Sequence, residues 1–453
     1  MGHLSCFKAY DIRGRVDDNL TEDLAFALGQ AVATTLGADT VVVGRDIREA
    51  SPRLLEALAG GLTRRGVDVI DLGLCGTEEV YFGTEHFAAS AGIMVTASHN
   101  PIDYNGFKLV GQGAAPLDDP TFRAIEGATA KGGGGAVGAR GKSRSANARD
   151  AYVARITSFA DPNAIAPLHL LANSGNGASG PTFDAVLNGL TAAGARLTAT
   201  RMHHTPDPTF PNGIPNPLLT ENQPGTAAAV LEAGADMGIA WDGDFDRCFF
   251  FDHEGSFVPG EYIVGALAAA VLAQEPGASI VHDPRVIWNT RRIVTEAGGG
   301  AVVSKTGHAL VKAKMREVNA AYGGEMSAHH YFRNFMYCDS GMIPWVLMLA
   351  RLSATETSLK QVIDDMRERH PSSGEINFRV EDAAAVTRTV RTHFEADAKE
   401  VDTLDGLSME FDTWRLNLRS SNTEPLLRLN VETLGDPNLL AERTDEISAL
   451  IRG

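Results

Sequence analysis

Short β-branched runs alternate with helix-forming stretches from residue 40 onward, and that order demands crossover connections. Thr40 to Gly44 (TVVVG), Val67 to Leu72 and Ile93 to Val95 read as strands. Ser51-Pro52 opens the helix between the first two, with Ser as N-cap and Pro at the first helical position. Strand, helix, strand in this order implies a largely parallel sheet. The pattern returns with strands at Leu168 to Ala172, Arg196 to Thr200 and Met237 to Trp241, and helices at Pro181 to Ala193 and Ala227 to Ala235. It returns again from Gly260 to Pro371. There the strands are Ile280 to His282 and Ala301 to Ser304, and the helices are Tyr262 to Gln274, Thr290 to Ala297, Ala309 to Val318 and Met342 to Leu352.

The last part differs. Ile376 to Val380, Ser408 to Phe411, Trp414 to Leu418 and Leu427 to Glu432 read as mostly antiparallel strands, flanked by helices at Ala383 to Phe394 and Leu439 to Ile451. The expected fold class is therefore α/β. It has three similar αβ domains with mixed, largely parallel sheets, then a C-terminal α+β domain. The boundaries fall at 1–150, 151–254, 255–371 and 372–453. Lys131 to Arg149, rich in Gly, Ala, Ser and basic residues, reads as a flexible loop beside the first boundary.

Composition excludes several classes. The net charge is -17 and no long Lys/Arg run occurs, so no nucleic-acid partner is expected. Cys6, Cys75, Cys248 and Cys338 form no CxxC pair, which excludes a zinc knuckle and a redox motif and suits a reducing cytoplasm. Tyr262 to Ala273 and Gly341 to Leu352 are the longest apolar stretches and are too short to span a bilayer. The first ten residues lack a signal pattern, so a cytoplasmic location with no membrane partner is the expectation.

Two stretches stand out chemically. Gly92 to Pro101 (GIMVTASHNP) begins as a buried strand and ends in a turn of small polar residues, which suits Ser98 as a nucleophile. Asp242-Gly243-Asp244-Phe245-Asp246-Arg247 follows a strand and sets three carboxylates at alternate positions. Such like charges repel unless a hard cation, magnesium or calcium, neutralises them. An EF-hand is excluded, because its sixth position is Arg247 and its twelfth is His253.

Further candidates are less specific. Gly324 to His330 brings a carboxylate, a hydroxyl and imidazoles together for sugar hydroxyls, and Arg419 to Pro425 concentrates donors suited to phosphate. Tyr10 to Gly14 reads as an Arg-Gly turn, and Lys108 lies just beyond the serine loop as a proton carrier or charge partner. Gly175 to Gly180 matches GxGxxG, yet the following strand ends without the ribose-binding acid, so it reads as a tight strand-to-helix turn. Gly141-Lys142-Ser143 lacks the first glycine of a P-loop, Ala136 standing there.

In combination these motifs resemble the phosphohexomutase superfamily over essentially the whole chain. TASHNP at Thr96 to Pro101 is similar to its phosphoserine loop, DGDFDR at Asp242 to Arg247 to its metal loop, GEMSAHH at Gly324 to His330 to its sugar loop and RSSNTEP at Arg419 to Pro425 to its phosphate loop. FKAYDIRG at Phe7 to Gly14, NGIPNPLL at Asn212 to Leu219 and SAHHYFRNFMYCDSGMIPW at Ser327 to Trp345 resemble the bacterial phosphomannomutase branch that feeds GDP-mannose synthesis. Phe245 stands where many members have Gly, and Arg285 where some have Lys.

The resemblance implies an isomerase that interconverts mannose 6-phosphate and mannose 1-phosphate. Ser98, Lys108, Arg247 and His308 are implied as catalytic. Tyr10, Arg13, Glu325, Ser327, His329, Arg419, Ser421, Asn422 and Thr423 are implied as substrate-binding. Asp242, Asp244 and Asp246, with Ser98, are implied as ligands of Mg2+. Hexose 1,6-bisphosphate is the implied intermediate and activator, sugar phosphates are the partners, and the enzyme is a monomer or homodimer. A phosphoglucomutase or a dual-specificity enzyme is the nearest alternative. A magnesium phosphatase, which would release inorganic phosphate, and an NAD-binding oxidoreductase are the others.

Overall fold

In the computed structural model, residues 4–134, 138–420 and 426–453 are described. The chain forms two compact units, Met1–Phe257 with His329–Glu356, and Val258–Ala328 with Thr357–Gly453.

The first unit opens with a six-stranded sheet in the spatial order Ile12–Arg15, Tyr104–Gly111, Ala91–Val95, Thr40–Arg45, Asp68–Leu74, Ser143–Ser145. Tyr104–Gly111 is antiparallel to both neighbours, and the remaining pairs are parallel. Val41, Val42 and Val43 are fully buried, as a central strand covered on both faces requires. A second sheet pairs Cys248–Asp252 antiparallel to Met237–Trp241, which runs parallel to Leu168–Asn173 and, through it, to Leu197–Met202. His330–Phe332 and Cys338–Asp339 add an antiparallel pair, followed by the helix Ile343–Thr355.

Buried Glu78, on the helix Thr77–His86, ties this unit together. Its Oε2 accepts from the Gly341 amide at 2.7 Å, and its Oε1 meets the Tyr152 hydroxyl. Burial pushes its carboxyl up to about 8.

The second unit holds parallel strands Ser279–His282, Gly300–Val303 and Tyr322–Gly324. Its other sheet is antiparallel throughout, in the order Ile376–Arg379, Leu426–Thr433, Trp414–Ser420, Leu407–Glu410, Glu400–Asp402, with helices Ala383–Phe394 and Pro437–Arg452. The ring of Trp414 stacks on Phe411 at 3.9 Å in its core. Buried Glu432 binds Arg415 at 3.1 Å and accepts the amides of Ile287 and Trp288, both at 2.9 Å, at the start of the helix Trp288–Glu296.

Three local expectations are corrected. Ser51 is the first residue of the helix Ser51–Arg64 and does not cap it, because its hydroxyl donates to Asp46 Oδ1 at 2.5 Å. Ile12 to Gly14 is strand, since Tyr104–Gly111 supplies an edge for it. Ser143–Ser145, inside the expected flexible loop, pairs with Asp68–Leu74.

Candidate active site

Ser98 lies just beyond the strand Ala91–Val95 with φ 50°, a left-handed conformation that costs a side-chained residue about 1–3 kcal/mol. Its surroundings hold it there. The Ser98 amide donates to Thr96 Oγ1 at 2.9 Å, and the Thr96 hydroxyl donates to Asp46 Oδ2 at 2.8 Å. Buried Arg48 donates to the carbonyls of Ser98, Asn100, Pro101 and Tyr104 at 2.9, 2.6, 2.8 and 3.1 Å. With its backbone pinned, Ser98 turns its hydroxyl to Asp242 Oδ2 at 2.5 Å.

Asp242 begins the turn after Met237–Trp241. It approaches the serine loop so closely that a β-carbon on Gly243 would stand 2.6 Å from the Ser98 carbonyl. Gly177 in turn packs on Gly243, with a virtual β-carbon 2.9 Å from its carbonyl, and Ala178 donates its amide to the same oxygen at 3.2 Å. The GxGxxG stretch thus forms a tight turn that buttresses the acidic loop. Phe245 has φ 43° and its ring is fully buried against Gly76.

Asp242, Asp244 and Asp246 are buried, with ligand atoms within 4.8 Å of one another. One oxygen of each is bonded. Asp242 Oδ2 accepts from Ser98 and from Arg247 Nη2 at 2.9 Å. Asp244 Oδ2 accepts from Thr77 Oγ1 at 2.6 Å and Lys108 Nζ at 2.7 Å, and Asp246 Oδ2 accepts from Lys108. The other oxygen of each carboxylate is buried without a hydrogen-bond partner. Leaving one such atom costs about 1–3 kcal/mol, and more when charged. Three in one all-oxygen cluster fit a hard divalent cation.

The charges are interlocked. Burial opposes ionisation of Asp244, but Lys108 and then Arg13 hold it below the usual carboxylate range. Burial, and then the Asp244 charge, push Asp246 up. Lys108 is raised, because Asp244 and Asp246 outweigh its burial, so it is a clamped cation. Arg247 donates to His99 Nδ1 at 2.5 Å and, with burial, holds that imidazole well below its ordinary value. Arg13 donates to Asn100 Oδ1 at 2.9 Å in the serine loop, and to Asp11 at 2.8 Å. His329 meets Asp339 Oδ2 at 3.1 Å, and its backbone bridges to Arg247.

The second unit carries a closed ring of polar contacts. Arg419 donates to Thr306 Oγ1 at 3.2 Å. The next amide, Gly307, donates to Glu325 Oε1 at 2.9 Å. Met326 donates its amide to Asp283 Oδ2 at 2.8 Å, and Arg285 donates to the same oxygen at 2.6 Å. Arg285 then reaches Glu375 Oε2 at 3.3 Å, and Arg419 closes the ring onto that oxygen at 3.6 Å. His308 begins the helix His308–Glu317 beside Gly307, and Ser327 is half-buried two residues after Glu325.

Of the residues expected from the sequence, Ser98, Lys108, Arg247, Arg13, His329 and the three aspartates gather in the first unit. Glu325 and Arg419 join the ring of the second. Tyr10 is exposed, three residues before Arg13. Ser421, Asn422 and Thr423 lie outside the described residues. Sequence reasoning missed Thr77, Asp46 and Arg48 and left Arg285 aside. Thr77-Glu78-Glu79 looks only like an acidic helix start, and Arg48 looks like one basic residue among loop residues.

The chain is similar to known proteins along its whole length. Family models of the phosphoglucomutase/phosphomannomutase alpha/beta/alpha domains I, II and III match residues 5–133, 150–255 and 259–370, and that of the C-terminal domain matches 375–450. The chain is 54% identical over 451 residues to the "Phosphohexose mutases" of Xanthomonas campestris pv. campestris, covering 99% of this chain and 100% of that one. It is 53% identical over 454 residues to a phosphomannomutase of Salmonella montevideo, covering 100% of both. A phosphoglucomutase/phosphomannomutase family protein from Burkholderia thailandensis superposes with a TM-score of 0.88 at 31% identity, covering 100% of this chain and 98% of its own. With four domain models matching in chain order and full-length relatives at half identity, the chain belongs to the phosphoglucomutase/phosphomannomutase family of phosphohexomutases.

Proposed function

We propose that this chain interconverts mannose 6-phosphate and mannose 1-phosphate through a phosphorylated Ser98, supplying GDP-mannose synthesis. The observation that carries the reading is the 2.5 Å contact between Ser98 Oγ and Asp242, one of three buried carboxylates fit for a cation. Full-length relatives named phosphomannomutase support the substrate.

Phosphorylated Ser98 would carry about -1.5 to -2 charge. A magnesium ion on Asp242, Asp244 and Asp246 would withdraw charge from the transferring group. Lys108, clasped by Asp244 and Asp246, adds a fixed cation, and Arg247 holds Asp242 in place. The free hydroxyl oxygen of the sugar phosphate attacks phosphorus, the bond from phosphorus to Ser98 Oγ breaks, and a hexose 1,6-bisphosphate forms. His308 is the group we assign to take the hydroxyl proton, and Lys108, already a cation, is the group we assign to give a proton to the departing Ser98 Oγ. The bisphosphate then presents its other phosphate, which returns to Ser98, so no phosphate is consumed. Glu325, Ser327 and His329 hold sugar hydroxyls. Tyr10, Arg13, Arg419, Ser421, Asn422 and Thr423 hold the substrate. Added hexose 1,6-bisphosphate primes a dephosphorylated enzyme.

The four cysteines are free and buried, which suits a reducing cytoplasm. Among the described residues no helix is long and apolar enough to cross a membrane. We assign sugar phosphates as partners and no nucleic acid, and a monomer or homodimer as the working state.

The test is an assay with mannose 1-phosphate and glucose 1-phosphate, each with a trace of glucose 1,6-bisphosphate, alongside intact-mass and phosphopeptide analysis. Turnover of mannose 1-phosphate with a labile phosphate on Ser98, both lost in Ser98→Ala, is the expected result. Full activity in Ser98→Ala overturns the mechanism. Faster turnover of glucose 1-phosphate would make this a phosphoglucomutase or dual-specificity enzyme.

A further inference from the structure

Glu375 is the common partner of three arginines. Its Oε2 lies 3.3 Å from Arg285 Nη1 and 3.6 Å from Arg419 Nη2, and its Oε1 lies 3.2 Å from Arg428 Nη1. Arg419 and Arg428 face each other across the strands Trp414–Ser420 and Leu426–Thr433, so both guanidinium groups issue from one register position of the sheet. Arg285 comes from the loop after Ser279–His282 and is locked by Asp283 at 2.6 Å.

The three contacts to Glu375 are long. A charge-assisted bond between guanidinium and carboxylate closes to about 2.7–2.9 Å when the geometry is good. Arg285 and Arg419 share a single Glu375 oxygen while Arg428 takes the other, whereas a phosphate dianion has three peripheral oxygens, one for each guanidinium, and a larger charge. Arg419 also remains under-compensated. Burial, and then repulsion from Arg285, pull its guanidinium below the ordinary range, ahead of what Glu375 and Asp405 return. Asp405 is itself occupied by the amide and hydroxyl of Thr306, at 3.2 and 2.7 Å. Nε of Arg285 and Nε of Arg419 are in addition buried without a hydrogen-bond partner, so these two guanidinium groups have donor capacity that Glu375 and Asp283 do not use.

We propose that Arg285, Arg419 and Arg428 form one dianion-binding site whose resting occupant is the Glu375 carboxylate, and that a substrate phosphate binds by displacing that side chain. The proposal rests on the reading of Arg419 as a phosphate ligand and adds to it two arginines and a competitor. Glu375 serves two ends. It keeps three like charges together before substrate arrives, and it weakens the hold on the phosphate so that sugar phosphates can leave. Glu375 is at the rim of the cluster and 21% exposed in its side chain, immediately before the strand Ile376–Arg379, so it can swing aside without disturbing the core.

The experiment is calorimetric titration of the full chain with mannose 1-phosphate in a Ser98→Ala background, which removes turnover. If Glu375 holds the site roughly nine-tenths of the time, Glu375→Gln tightens binding by about tenfold, since apparent affinity scales with the competent fraction. Arg428→Gln loses about tenfold, the cost of one charged hydrogen bond. Thermal melts of each variant exclude unfolding, and Glu375→Asp, shorter but still anionic, should lie between wild type and Glu375→Gln. Unchanged or weaker binding in folded Glu375→Gln overturns the displacement, as does unchanged binding in Arg428→Gln. Arg419→Ala in the same background separates the two readings. If it too binds unchanged, the phosphate assignment itself has failed. If it weakens while Glu375→Gln does not tighten, only the displacement has.

Discussion

A β-carbon on Gly76 would stand 2.2 Å from Cζ of Phe245, so the phenyl ring fills the space a side chain at Gly76 would need. Phe245 sits between two metal-site aspartates at φ 43°, a conformation that favours glycine. The absent side chain at position 76 is what makes a phenylalanine tolerable there. Gly76→Ala should therefore displace the acidic loop, at a cost of about 1–3 kcal/mol for overpacking, and lower both metal affinity and turnover. Gly76→Ala/Phe245→Gly should recover much of the loss, because the ring is gone and glycine suits the backbone. A double-mutant cycle on thermal stability and magnesium affinity checks it. Additive losses in the double variant would refute the coupling.

The next residue acts on the same loop by hydrogen bonding. Thr77 donates its hydroxyl to Asp244 Oδ2 at 2.6 Å and its amide to the Asp244 carbonyl at 3.1 Å. One carboxylate oxygen is thereby tied down and the other remains for a cation. Thr77→Val keeps the shape and deletes the hydroxyl. Groups that orient a metal ligand are typically worth about 10–100-fold in metal affinity. The expectation is a loss in that range by calorimetric titration with magnesium, and recovery in Thr77→Ser. Chelator should abolish turnover in the parent enzyme. Equal magnesium affinity in Thr77→Val and wild type would remove Thr77 from the metal site.

The difference between what was legible in the sequence and what was not is one of distance along the chain. Thr96 to Pro101 and Asp242 to Arg247 carry their chemistry in contiguous residues, and the turn residues after each strand mark them. Arg48 and Thr77 act on residues 50 and 167 positions away, and nothing local distinguishes them from loop and helix-start residues. Ser51 misled because Ser-Pro is a sound capping signal, yet Asp46 competes for the same hydroxyl. Ile12 to Gly14 resembles a turn by its Arg-Gly pair, because the strand that completes it begins only at Tyr104. Arg285 gains meaning only once Glu375 and Arg419 stand beside it. Alternation of strand and helix, by contrast, depends on local periodicity, and the sheets follow it.

Glu78 gives a pH prediction. Its ordinary value of 4.5 is raised to about 8 by burial, so the folded protein keeps a proton that the unfolded chain releases. The folded state binds more protons between those values, and stability falls with rising pH across that window, by about 1.4 kcal/mol per unit of separation. Below 4.5 both states are protonated and the full contribution is present; above about 8 it is lost. Glu78→Gln mimics the neutral acid, with its carbonyl able to accept the Gly341 amide. The variant should match wild type near pH 5 and become the more stable protein by pH 8–9, in chemical denaturation at each pH. A constant difference across that range would mean that Glu78 is ionised in the fold.

Arg419 bears the heaviest demand of any residue proposed for the substrate. A mutase handles sugars with phosphate at position 1 or position 6, so one phosphate-binding site must accept both isomers while the sugar is presented in two orientations. A guanidinium recognises the phosphate and ignores the ring attached to it. Arg419 is held for this by Thr306 at 3.2 Å, on a sheet of the second unit, whereas Ser98 belongs to the first. Arg419→Ala should weaken mannose 6-phosphate and mannose 1-phosphate by similar factors, through loss of charge-assisted bonds worth about 1.5–3 kcal/mol, roughly ten- to more than a hundredfold. The bisphosphate intermediate should escape more often, because it is retained through the same group while it turns. Phosphorylation of Ser98 should survive, since Arg419 makes no part of its loop. Steady-state kinetics in both directions, with chromatography of released bisphosphate and mass analysis of Ser98, measure all three. A change confined to one isomer would make Arg419 a ligand of one orientation only, and the shared clamp would be wrong.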